Sequence, residues 1–95
     1  MSAPVSHARV RVVVHGAVQG VFFRDTCRRT AGEHDVDGWV RNRPDGSVEA
    51  AFEGGPEQVR ALVDWCRSGP PAARVDKVEE FPEAPEGLTG FEIRR

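Results

Sequence analysis

The chain has 95 residues, 39% of them hydrophobic and 29% charged, with a net charge of −2. That length makes one small domain, able to bury roughly two thirds of its unfolded surface, and so ordinary a composition excludes disordered and fibrous classes. The longest apolar runs fall far short of the roughly 18 residues that span a bilayer.

Residues 1–7 hold no apolar stretch resembling a secretion signal. Two cysteines, Cys27 and Cys66, are too few for a disulfide framework and lack the spacing of a zinc or redox site. The expectation is a single cytoplasmic domain over residues 1–95, with a flexible tail at 1–7 and both thiols reduced. The charge is uneven. Residues 1–43 carry seven arginines against four acids, a balance of +3, and residues 44–95 carry six basic groups against eleven acids, a balance of −5. An arginine-rich first half suits a small anion better than a nucleic acid, which calls for an extended basic surface interleaved with aromatics.

Ala8 to His15 alternates, with Val10, Val12 and Val14 on one face and Arg9, Arg11, Val13 and His15 on the other, which is strand periodicity. Gly16 to Phe22 reads as a loop. A helix follows from Phe23 to about His34, weak because Thr26, Cys27, Thr30 and Gly32 are mediocre helix formers. Val36 to Arg43 is a second strand. The turn Arg43-Pro44-Asp45-Gly46-Ser47 closes a hairpin, Pro presetting its φ and Gly supplying a positive one. Ser47 to Glu53 is the third strand, with Val48, Ala50 and Phe52 inward and Glu49 and Glu53 outward.

Pro56 and Glu57 open a second helix. Its Val59, Leu62, Val63 and Cys66 form one apolar stripe, and Ser68-Gly69-Pro70-Pro71 ends it. Arg74 to Phe81 is a fourth strand whose Val75 and Val78 are out of phase, so a bulge or twist is expected. Pro82 to Gly90 is a loop, and Phe91 to Ile93 a short closing strand. The order βαββαβ plus a final strand predicts an α+β fold: a ferredoxin-like split βαβ two-layer sandwich, an antiparallel sheet with two helices on one face.

The segment Gly16-Ala17-Val18-Gln19-Gly20-Val21-Phe22-Phe23-Arg24 stands between a strand and a helix N-terminus. Such a loop can turn its backbone N–H groups inward as a nest, the helix dipole adds positive charge, and Arg24 can offer a planar fork to two oxygens of one anion. By glycine spacing alone, a plain strand-to-helix connection fits as well. It lacks the Gly-Lys-Ser/Thr of a nucleotide P-loop. The second segment is Gly38-Trp39-Val40-Arg41-Asn42. An Asn carboxamide donates to one partner and accepts from another, which suits holding a water; it equally suits satisfying nearby backbone.

These two segments resemble the characteristic motifs of the acylphosphatase family. The first matches its Gly-x-Val-Gln-Gly-Val-x-Phe-Arg loop at every specified position. The second matches its Gly-aromatic-Val-x-Asn segment, with Gly46-Ser47-Val48 and Gly54 downstream. The likeness runs through Gly69-Pro70-Pro71 and Gly90-Phe91-Glu92-Ile93, covering residues 8–95. It implies hydrolysis of the carboxyl-phosphate bond of small acyl phosphates, with neither metal nor cofactor. Arg24 and the loop amides of Gln19, Gly20, Val21, Phe22, Phe23 and Arg24 bind the phosphate, and Asn42 orients the attacking water. Inorganic phosphate is then product and inhibitor, and the expected protein is a monomer acting on neither nucleic acid nor membrane. The sequence departs from the family in the first helix, where Cys27 replaces a common Thr and Asp35 stands where Gly commonly ends the helix. His15, just before the loop, reads as a strand-end residue facing away from Val12 and Val14, and Trp39 and Trp65 read as packing residues.

Overall fold

The computed structural model describes residues 7–95. Seven elements follow in order: β1 (Ala8–Ala17), α1 (Phe23–Glu33), β2 (Asp37–Asn42), β3 (Val48–Gly54), α2 (Pro56–Cys66), β4 (Arg74–Glu83) and β5 (Phe91–Arg94). The tail expected at residues 1–7 lies, but for His7, outside the described residues. The strands form one sheet in the order β4-β1-β3-β2-β5 with two helices packed on it, the expected ferredoxin-like arrangement.

One detail needs correction: the sheet is mixed, because β5 pairs parallel to β2 while every other pair is antiparallel. Chain direction explains it. β1 and β2 run one way, β3 and β4 the other. The loop after β4 crosses beneath the end of β3, so β5 must return alongside β2 in the same sense.

β1 runs beyond its expected end because of Gly16. Its φ is +133°, and a Cβ there would stand 2.1 Å from the carbonyl oxygen of Arg74, so no larger residue lets β4 approach. Opposite it, pairing steps from His15–Lys77 to Gly16–Val75, which leaves Asp76 as the extra residue of a bulge. This is the expected irregularity of the fourth strand. β3 begins one residue late, since the N–H and hydroxyl of Ser47 both donate to Asp45 Oδ1, at 2.9 and 2.5 Å, and hold it in the turn.

The core lies between sheet and helices. Val10, Val12 and Val14 of β1, Val40 of β2 and Val48, Ala50 and Phe52 of β3 cluster with Phe23, Cys27 and Ala31 of α1 and Val59, Leu62, Val63 and Cys66 of α2. Burial of each Val, Leu or Phe contributes about 1.5–3 kcal/mol, which holds α1 helical despite its poor formers. α1 ends as Asp35 takes the left-handed conformation, φ 55°, and the Val36 N–H donates to the Ala31 carbonyl at 2.9 Å. On the helix-free face, Glu49 and Glu53 are buried beneath arginines: Arg11 and Arg41 hold Glu49, and Arg9 holds Glu53.

Candidate active site

The site lies at the end of the sheet where β1 feeds α1 and where β2 stops. Val18 is buried and anchors the connecting loop in the core. Beyond it the backbone turns left-handed at Gly20, φ 73°, and again at Phe22, φ 62° and ψ 25°. This is the alternation that curls successive N–H groups into an anion-binding concavity. The left-handed conformation costs a non-glycine residue roughly 1–2 kcal/mol, so Phe22 is a strained position at the mouth of the helix. Its carbonyl accepts the Thr26 N–H at 3.1 Å and starts α1. Phe23 locks the first turn by packing on Trp65, ring centroids 5.0 Å apart. Arg24 therefore projects from the first turn, where the helix dipole is positive.

Asn42, the last residue of β2, reaches the same place. A cleft of about 320 Å³ is walled by the loop residues Val18, Gly20 and Phe22, by Phe23, Arg24 and Asp25 of α1, and by Asn42 and Ile93 from the strands. Among the described residues, the side chains of Arg24 and Asn42 have no hydrogen-bond partner or salt bridge. The sheet arginines Arg9, Arg11 and Arg41 are all held by glutamates, and Arg43 approaches Asp45 at 4.0 Å. The arginines of the first half of the chain are thus matched by acids on the sheet, whereas α1 carries Arg24, Arg28 and Arg29 against Asp25 and Glu33, a balance of +1.

Of the residues singled out from sequence, Gly20, Phe22, Phe23, Arg24 and Asn42 meet at the cleft. Gln19 and Val21 do not wall it. Val21 packs against the core, and the Gln19 side chain turns toward the hairpin, its Nε2 donating to the carbonyls of Arg43 and Ser47 at 2.8 Å each. Sequence reasoning missed Val18, Asp25 and Ile93. Asp25 was within reach, being next to Arg24 on the first helical turn. Ile93 was not, because only the parallel pairing of β5 on β2, which sets Ile93 opposite Val40, brings it there.

His15 stands outside the cleft with its Nε2 2.7 Å from Glu79 Oε1. That hydrogen bond, with the nearby Lys77 charge, outweighs desolvation and holds the Glu79 carboxyl below its usual range. Burial pushes the thiols of Cys27 and Cys66 well up, so neither is a nucleophile at neutral pH. Among the described residues, no group of three His, Cys, Asp or Glu side chains is placed to hold a metal ion, and no helix is long and apolar enough to cross a membrane.

A family model for acylphosphatases matches residues 10–93. The chain belongs to the acylphosphatase family. The family hydrolyses acyl phosphates, and this member is a hydrolase of that class. It is 55% identical to the acylphosphatase of Natronomonas pharaonis, over 92% of this chain and 95% of that one, and 56% identical to that of Gloeobacter violaceus, over 92% and 94%. Among solved structures, the acylphosphatase of Coxiella burnetii superposes with a TM-score of 0.89 at 36% identity, covering 93% of each chain. The likeness to other acylphosphatases thus spans sequence and fold.

Proposed function

We propose that this acylphosphatase cleaves the carboxyl-phosphate bond with Arg24 and the loop amides between Gln19 and Arg24 gripping the phosphoryl group, and with Asn42 holding the attacking water. The observation that carries the reading is the convergence on one cleft of a guanidinium and a carboxamide that have no partner among the described residues, together with a positive helix N-terminus.

The chemistry asks for little else. The departing carboxylate has a conjugate acid of pKa about 4, so it leaves as an anion without a general acid. The transition state is loose and spreads charge over the equatorial phosphoryl oxygens, which a guanidinium fork and a curl of amides match. Attack by water on such a centre needs alignment more than a strong base. Neither a metal ion nor a cofactor has a step to perform. The acyl group extends toward the apolar side of the cleft, at Val18 and Ile93. Inorganic phosphate, which presents the same oxygens, is a competitive inhibitor. The protein works as a monomer in the cytoplasm.

The test is phosphate release from acetyl phosphate and benzoyl phosphate with and without a chelator. Turnover that needs no added metal and is untouched by the chelator supports the reading; turnover abolished by the chelator removes its metal-free part.

A further inference from the structure

We infer that Gln19 acts through its side chain as a positioning residue, joining the phosphate loop to the hairpin that carries Asn42 and so setting where the water is held relative to the phosphoryl group. The inference rests on the proposed role of Asn42.

The geometry is specific. Within the hairpin, the Arg43 N–H donates to the Ser47 carbonyl at 2.8 Å and the Gly46 N–H to the Arg43 carbonyl at 3.1 Å. Each carbonyl oxygen has a second lone pair. The two hydrogens of the Gln19 carboxamide supply those, at 2.8 Å to each oxygen. One side chain therefore caps both ends of the turn, and the Arg43 carbonyl it grips belongs to the residue directly after Asn42. Gln19 itself directly precedes Gly20, where the loop turns left-handed. The anion nest and the end of β2 are thus fastened to each other by a side chain that does not face the cleft.

The contact needs two N–H donors at the reach of this side chain, which the Gln19 amide supplies from one nitrogen. Methionine has similar bulk and no donor. Glutamate at neutral pH would set acceptor oxygens against two carbonyl oxygens, and on protonation it regains one donor.

The experiment compares wild type, Gln19→Met and Gln19→Glu in acetyl phosphate turnover, in inhibition by inorganic phosphate and in thermal unfolding. In folded Gln19→Met, kcat is expected to fall about ten- to a hundredfold, as for an angstrom-scale misplacement of the water, while the phosphate inhibition constant stays within about twofold. In Gln19→Glu the loss at neutral pH is larger. Its kcat relative to wild type recovers as pH falls from about 8 to about 5, toward the carboxyl range, and Gln19→Met shows no such recovery. In wild type, both Gln19 side-chain amide protons are expected to exchange slowly with solvent by NMR, which reads the contact even where a variant unfolds. Rapid exchange, kcat unchanged in the variants, or phosphate inhibition weakened in parallel with kcat would overturn the inference. A wild-type protein inactive on acyl phosphates would instead overturn the reading beneath it.

Discussion

The guanidinium of Arg9 and the carboxylate of Glu53 meet at 2.7 Å with only 5% and 4% of their side chains exposed. The same carboxylate accepts the backbone N–H groups of Glu86, Gly87 and Leu88 at 3.0, 3.0 and 3.1 Å. One buried side chain at the end of β3 thereby holds down the loop that carries the chain from β4 across to β5. This clasp is at the opposite end of the sheet from the cleft.

Acid should loosen it. Burial by itself raises the Glu53 pKa, but the N–H of Glu86, the Arg9 guanidinium and the other loop amides outweigh that and leave it below the ordinary 4.5. For a carboxyl lowered by folding, the stabilisation is complete above the unfolded value and lost as pH falls through the folded one. Stability measured by urea unfolding should therefore drop below pH 4.5, and Glu53→Gln should flatten that drop. At neutral pH the same substitution should cost about 3 kcal/mol, the scale of breaking a buried ion pair. A stability curve that is level through this range in wild type would refute the assignment.

Arg24→Lys keeps the charge and discards the planar fork. Phosphate inhibition should weaken roughly ten- to a hundredfold, corresponding to loss of a charge-assisted hydrogen bond of about 1.5–3 kcal/mol. An inhibition constant equal to wild type would mean that the guanidinium does not touch the anion.

Asn42→Ala should behave in the opposite way. Turnover is expected to fall about a hundredfold or more as the water loses its alignment, with competitive inhibition by phosphate within about twofold of wild type. Loss of that inhibition would contradict the separation of roles.

Asp35→Gly should stabilise the protein. Relieving a left-handed non-glycine residue is worth about 1 kcal/mol, which in a chain of this size raises Tm by roughly 4–8 °C. Calorimetry checks it; an unchanged Tm would mean that the Asp35 side chain offsets its backbone strain.

The alternation of Val10, Val12 and Val14 and the stripe of Val59, Leu62, Val63 and Cys66 were legible because each element has one wet or charged face and one dry face, and periodicity reports that difference. The bulge at Asp76 was legible as the phase slip between Val75 and Val78. The direction of β5 was not, since a four-residue strand has no local mark of which neighbour it joins. At the cleft, Arg24 and Asn42 stood out through their places in the two motifs that resemble those of the acylphosphatase family. Residue type and position alone left a plain connection and a turn-satisfying Asn equally open. The turning of Gln19 toward Arg43 and Ser47 depends on the hairpin coming to rest beside the loop, a contact across 24 and 28 residues that no local pattern encodes.

β4 forms one border of the sheet, and of its ten residues Arg74, Asp76, Lys77, Glu79, Glu80 and Glu83 are ionic while Pro82 lacks an N–H. A strand so dressed is a poor template for a neighbour's backbone, because an incoming strand would crowd like charges and meet a missing donor. At neutral pH this border therefore works against edge-to-edge aggregation in crowded solution.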